Sequence, residues 1–377
     1  MDFNYSEEQQ MLADTLTRFV EDAYPLDARR RLAATKTGFS PDYWEQFAEL
    51  GLLGLNVPEQ YGGLSGTPAD TLIVMQAFGR GLVLEPYLST AVLGVALLSM
   101  AGSEQQKSHW LPAIAAGSKR VALATLEPEA RFDLWQIGTR AGRTADAFIL
   151  NGRKSVVLHG DSADALIVSA RTRGAADDRD GITLFFVDAS AAGVGIKGFA
   201  NIDGQRSAEV TFENVILSAG DVIGAADQGY EPLEFAVDTG IAALCAEAVG
   251  CMEKLLEITA EYLRTRSQFG RAIGTFQALQ HRIADMAIAI EQARSAAYLA
   301  AARVSESDAF ERRKAVSAAK ALIGRSGRYV GQQAVQLHGG MGMTDELAVG
   351  HYFKRLTCID MTWGNSEHHI ERYGETL

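Results

Sequence analysis

The stretch Arg266-Ser267-Gln268-Phe269-Gly270 groups side chains suited to holding a phosphorylated ligand. An arginine fork matches pyrophosphate oxygens, and a nearby aromatic can pack against the adenine end of such a ligand. A second group is Gln336-Leu337-His338-Gly339-Gly340-Met341-Gly342, whose glycines permit positive φ and close approach of backbone. Gly340-x-Gly342 is a poor dinucleotide-fold fingerprint, because no strand precedes it and the spacing is wrong. His159, His338, His368 and His369 could serve acid–base or metal chemistry. Adjacent helical residues point about 100° apart, so His368 and His369 make a poor chelating pair, and a surface role is expected for both. Cys245, Cys251 and Cys358 have no metal-ligand spacing. Buried, reduced thiols are expected there, and no metal site.

Helices must position both groups. Ser6 is a candidate N-cap before Leu12, Leu16, Phe19 and Val20 at helical spacing, with Pro25 closing the segment. Trp44, Phe47, Leu50 and Leu53 mark a second helix ending near Gly54, and Tyr61-Gly62-Gly63 a loop. Helices follow over 71–79, 87–100 and 104–116. From about residue 119 the period becomes two. Val121, Leu123 and Thr125 alternate, as do Phe148 and Leu150, and 165–169, 182–187 and 210–212 are short runs rich in β-branched residues. Asn151-Gly152 between two such runs predicts a hairpin turn, and 173–181 a polar loop. Helical spacing returns near residue 230, with Ile283, Met286 and Ile290 on one face and alanine-rich stretches suited to close packing. The expected architecture is mainly α with a β insert: an N-terminal α-helical domain over 1–118, a middle β-domain over 119–225, and C-terminal antiparallel helices over 226–377.

The chain has 377 residues, 47% apolar and 22% charged, which is a globular composition long enough for two or three domains. A net charge of −12 argues against a nucleic-acid surface, so an anionic ligand must be met by local arginines or helix N-termini. Arg312–Lys314 is expected to be a solvated helix face. No charge-free run is long enough for a membrane span, and the polar stretch Met1–Gln10 has the pattern of neither a signal nor a transit peptide. A cytoplasmic location is expected.

Several motifs in order resemble the acyl-CoA dehydrogenase family over nearly the whole chain. Ser6-Glu7-Glu8-Gln9 is similar to its first helix, and Gly102-Ser103-Glu104-Gln105-Gln106-Lys107 with Leu111-Pro112 to its Gly-x-Glu-x-Gln-Lys…Leu-Pro segment. Arg266 to Gly270 with Phe276-Gln277 resembles the family signature, and Gln336 to Gly342 its Gln-x-x-Gly-Gly-x-Gly loop. The resemblance implies a middle β-barrel-like domain, a C-terminal four-helix bundle, and FAD-dependent α,β-dehydrogenation of an acyl-CoA. It further implies that Arg266, Gln268, Phe269, Gln336, Gly339 and Gly340 contact FAD held mainly by a neighbouring subunit of a dimer or tetramer.

Other matched positions depart from the family. Its Thr-Glu-Pro-x-x-Gly-Ser-Asp pattern is here Leu126-Glu127-Pro128-Glu129-Ala130-Arg131-Phe132-Asp133, and Lys-x-Trp-Ile-Thr/Ser is Lys154-Ser155-Val156-Val157-Leu158. Side-chain donors to the flavin ring are missing at Leu126 and Leu158, which is expected to weaken FAD binding by this chain's own half-site. Trp363 stands where most members have the Glu base, and Gly240, followed by Ile241, where others have it. Asp238 and Glu367 are nearby carboxylates matched to positions with other roles, leaving Asp238 a weak substitute. Three readings remain open at this point: a non-catalytic subunit paired with a homologous catalytic large subunit, an active homomeric dehydrogenase with an atypical base, and a non-redox helical scaffold.

Overall fold

A computed structural model describes residues 5–377, so residues 1–4 of the polar Met1–Gln10 stretch lie outside the described residues. The order is helices, then a sheet, then helices. Helices α1 (Glu7–Ala23), α2 (Leu26–Ala33), α3 (Pro41–Glu49), α4 (Pro68–Gly81), α5 (Val95–Ala101) and α6 (Glu104–Ala115) come first. Strands β1 (Val121–Ala124), β2 (Arg140–Arg143), β3 (Phe148–Leu158), β4 (Ala165–Arg171), β5 (Ile182–Asp188), β6 (Val194–Ala200), β7 (Arg206–Leu217) and β8 (Val222–Ile223) follow. The last part holds α7 (Tyr230–Thr265), the short strands β9 (Ser267–Gln268) and β10 (Arg271–Ala272), then α8 (Gln277–Arg303), α9 (Ala309–His338), α10 (Ala348–Met361) and α11 (Ser366–Gly374).

By compactness the chain forms two units, which interleave in sequence. One comprises the chain up to Arg31, Pro68–Val83 and Ile241–Leu377, and the other Leu32–Thr67 and Leu84–Gly240. In the first unit, Ser6 caps α1 through a reciprocal box with Gln9. Helices α4 and α7 cross with almost no side chain between them. A Cβ on Gly79 would lie 2.0 Å from Glu247 O, and one on Gly250 would lie 1.9 Å from Gln76 O. Nearby, Arg355 of α10 forks onto Glu247 of α7 at 2.6 and 2.7 Å, a buried two-bond pair. Ala293, Ala296, Ala297, Ala300 and Ala301 of α8 are buried, the close helix packing that small residues allow.

In the second unit the sheet order is β6-β7-β3-β2-β4-β5-β8, with β1 added parallel to β4. Leu150, Leu166, Val168, Phe185, Val187, Val210 and Phe212 are among the residues of its core. The predicted hairpin at Asn151-Gly152 is not there. Strand β3 runs straight through it, with a register shift against β7 between Leu150 and Gly152. A Cβ on Gly152 would meet Thr139 at 2.6 Å, so the glycine admits a neighbouring segment and marks a bulge. The turn between β2 and β3 is instead closed by Thr144 N–H donating to Ala147 O at 2.8 Å.

Other expectations also shift. Helix α2, whose charged segment shows little apolar period, was not expected, nor was β6, whose residues are half exposed. The second predicted helix divides from its tail: α3 stops at Glu49, and Leu52 and Leu53 are buried in the turns after it. The predicted 87–100 helix starts as a π-helical turn, Leu88–Gly94. All four residues of β1 are buried, so its alternation was not a solvent face. Arg312 is buried and donates to Glu306 O at 3.2 Å, so the basic run is only partly a solvated face. Helix α7 contains a stretch long and apolar enough to cross a membrane, but most of it is buried inside the fold as a core helix.

Candidate functional site

Helix α7 ends by feeding the arginine segment into a two-strand hairpin. Arg271 pairs with Gln268 and Ala272 with Ser267, leaving Phe269-Gly270 as a two-residue turn. Both turn residues have positive φ, 54° and 80°, the geometry that suits tight hairpins. The turn leaves Phe269 90% exposed, with its ring edge-on to Phe276 at 6.1 Å. Arg266 and Gln268 are exposed as well. The Arg271 guanidinium sits 4.1 Å from the Phe276 ring centroid, a support that the sequence motif did not reveal.

The second strip follows α9. Gly339 terminates the helix at φ 60° and ψ −141°, donating its N–H to Gln336 O. Gln336, Gly339 and Gly340 are exposed, and a Cβ on either glycine would find no atom within 4 Å. Backbone there is open to a ligand or another chain. The two strips leave the same unit side by side, since the ring of Tyr262 on α7 stacks on that of His338 on α9 at 4.3 Å.

In the other unit, the two segments that depart from the family lie next to each other. Ser155 N–H donates to Leu126 O at 2.8 Å. Beneath them the Lys154 ammonium, wholly buried, reaches Glu127 Oε1 at 2.7 Å, Ser169 Oγ at 3.1 Å and Thr125 O at 3.2 Å. Glu127 also accepts from the N–H groups of Gly138 and Thr139 at 2.7 and 3.1 Å. Burial pushes the lysine down to about 8, against the opposing pull of Glu127. Burial would raise the Glu127 carboxyl, but Lys154 and the Thr139 hydrogen bonds outweigh it and hold the group below its usual value. Above this pair, Val156 sits at φ 50°, and the ladder shifts register between Lys154 and Val157. A β-branched residue in the left-handed region costs on the order of 1–3 kcal/mol, so the surroundings impose this bulge. Leu126 and Leu158 are half-buried and have no side-chain donor.

The base positions are equally bare. Gly240 and Ile241 are buried in α7, two and three residues after the wholly buried Asp238. Trp363 is buried, at φ 52°, before Gly364 at φ 115°. The turn they form is held from inside the unit. Lys320, with no exposed surface, donates to Gly364 O at 2.6 Å and Asp360 O at 2.9 Å, and His369 Nε2 donates to Trp363 O at 3.0 Å. Burial pushes Lys320 down to about 8. His369 is therefore a core residue and not the surface group expected, while His368 is half-buried and Glu367 is exposed in the first turn of α11. His159 is buried with Nε2 3.1 Å from Leu84 O. Cys245 and Cys251 are buried, and Cys358 is partly exposed. Among the described residues no cluster suits a metal ion.

The geometry thus has an exposed arginine–aromatic hairpin and an open glycine turn in one unit, and in the other a surface around Leu126 and Leu158 without side-chain donors. The exposed arginine, aromatic ring and open backbone have the chemistry to hold a pyrophosphate and an adenine ring, whereas Leu126 and Leu158 offer no side-chain hydrogen bond to a flavin ring.

Comparison with known proteins agrees in order and extent. The acyl-CoA dehydrogenase N-terminal, middle and C-terminal domain families match residues 6–118, 122–215 and 228–377. The chain is 28% identical to a probable acyl-CoA dehydrogenase, YngJ, of Bacillus subtilis over 97% of both chains. Butyryl-CoA dehydrogenase from Megasphaera elsdenii superposes with a TM-score of 0.91 at 26% identity, covering 100% of both chains. A chain of the ChsE4-ChsE5 complex from Mycobacterium tuberculosis superposes with a TM-score of 0.90 at 26% identity, covering 100% of this chain and 98% of that one.

Proposed function

The chain belongs to the acyl-CoA dehydrogenase family, FAD-dependent enzymes that dehydrogenate acyl-CoA thioesters, and from that premise we propose that it is the non-catalytic subunit of a heteromer. A homologous large subunit would hold the flavin and the base, in a dimer or an α2β2 tetramer. One observation carries this reading. The groups that the family turns toward a neighbour's FAD, Arg266, Gln268, Phe269, Gln336, Gly339 and Gly340, are present and exposed. Those that would serve the chain's own flavin and base are Leu126, Leu158, Gly240 and Trp363. Unselected loss would not sort residues by which subunit's cofactor they serve.

FAD, when bound, supplies the hydride acceptor for the β-carbon while a carboxylate removes the α-proton. This chain's part is to bind and orient. The Arg266 fork would take pyrophosphate oxygens, Phe269 would lie against the adenine end, and Gln336 with the open backbone at Gly340 would line the approach. The pairing of unlike chains named for the Mycobacterium tuberculosis relative supports a two-chain assembly here. We read the chain as similar to the small subunit of pimeloyl-CoA dehydrogenase, a reading that favours a dicarboxylyl-, aromatic- or ring-bearing CoA thioester as the assembly's substrate. An active homomer using Asp238 as base is the competing reading.

The test is flavin retention by the chain co-purified with its catalytic partner. Arg266→Ala removes charge-assisted hydrogen bonds at an exposed position, so FAD affinity of the complex should fall by about 10- to 100-fold while the melting temperature of the chain alone is unchanged. Unchanged flavin content in that variant would count against the cross-subunit role.

A further inference from the structure

Two separate motifs can act on one ligand only if something fixes the distance between them. The rings of Tyr262 and His338 meet between the two strips, and neither residue belongs to the groups placed on FAD above. Tyr262 lies one helical turn before Arg266, and its carbonyl accepts the Arg266 N–H at 2.9 Å. The next bond of the strip, Ile273 N–H to Arg266 O at 2.8 Å, closes the hairpin onto the same helix end. His338 is the last residue of α9, two after Gln336 and immediately before Gly339. The two rings stack at 4.3 Å and 27°.

The His338 ring is itself fixed. It is buried, and its Nδ1 is 2.8 Å from Ala334 O. A carbonyl can only accept, so Nδ1 holds the proton and the ring cannot flip without losing that bond. The glycine turn folds back on the same residue, since a Cβ on Gly342 would lie 3.0 Å from His338 Cβ and 2.7 Å from Val335 O. Each strip is therefore tied to one ring of the stack through backbone within a turn of it.

We propose that Tyr262 and His338 are positioning residues that set the spacing between the Arg266–Phe269 hairpin and the Gln336–Gly340 turn, so that both engage one flavin dinucleotide of the neighbouring subunit. This rests on the subunit reading above. Neither ring touches the ligand; the stack acts through the two strips.

The experiment compares Tyr262→Ala and Tyr262→Phe in the full chain, alone and co-purified with its catalytic partner. Titration with FAD should show affinity for the assembled complex reduced about five- to tenfold by Tyr262→Ala, and restored to within about twofold by Tyr262→Phe, which keeps the stacking ring. In the chain alone, hydrogen exchange at the Ile273 and Gly339 amides should quicken in Tyr262→Ala and return to the wild-type rate in Tyr262→Phe. Wild-type FAD affinity in Tyr262→Ala, while Arg266→Ala still lowers it, overturns this inference and leaves the subunit reading standing. Insensitivity of both variants in a flavin-loaded complex overturns the subunit reading. The inference falls with it, and unchanged exchange rates in Tyr262→Ala overturn the inference by themselves.

Discussion

Lys154 Nζ lies 2.7 Å from Glu127 Oε1 in the interior of the β-rich unit, tying the segment that holds Leu126 to the one that holds Val156 and Leu158. The two segments are thus held together under Leu126 and Leu158, side chains that cannot donate. Removing one partner leaves an uncompensated buried charge, which typically costs about 3–5 kcal/mol. Lys154→Met should lower the melting temperature sharply, and Glu127→Gln on top of it should recover part of the loss. Thermal denaturation of the two variants checks this; an unchanged midpoint in Lys154→Met would mean the pair holds nothing together.

The crossing of α4 and α7 makes a second, sharper stability prediction. Gly250 cannot gain a methyl group without pushing on Gln76 O, which would be 1.9 Å away and is backbone. Gly250→Ala should destabilise by roughly 1–3 kcal/mol or prevent accumulation of folded protein. Gly340, with no atom within 4 Å of its Cβ position, should accept alanine with no change in melting temperature. Equal effects of the two substitutions on thermal denaturation would contradict the packing described.

Acid should weaken the fold through histidine. Burial lowers His369 well below the ordinary value of 6.5, helped by the nearby cations of Lys320, Arg372 and His368, and burial lowers His338 and His351 as well. Below pH 6.5 the unfolded chain binds protons that the folded imidazoles refuse. Stability therefore falls as pH drops from the ordinary value toward the lower folded values, at most about 1.4 kcal/mol per pH unit for His369. The melting temperature should decline between pH 7.5 and 5.5, with a shallower slope in His369→Gln. A flat profile in the native chain would show that His369 accepts its proton inside the fold.

Much of this was legible in the sequence, because motifs and helical period report local chemistry. Ser6 capped where the pattern placed it, and the arginine and glycine segments emerged on the surface as a hairpin and a helix terminus. What could not be read was set by partners distant in the chain. Asn151-Gly152 has the composition of a hairpin turn, yet the approach of Thr139 decides that Gly152 is a bulge within a strand. His369 looked like a surface residue beside His368 until the Trp363 carbonyl and buried Lys320 placed it in the core. The Tyr262–His338 stack joins residues 76 apart in sequence (338 − 262), each unremarkable alone.

Flavin stoichiometry is the sharpest test of a division of labour between two chains. The chain should be purified alone and again with its catalytic partner, and FAD measured against protein by absorbance. A nearly colourless preparation is expected alone, and about one FAD per pair in the assembly. A yellow homomer with one FAD per chain that oxidises an acyl-CoA unaided would contradict it.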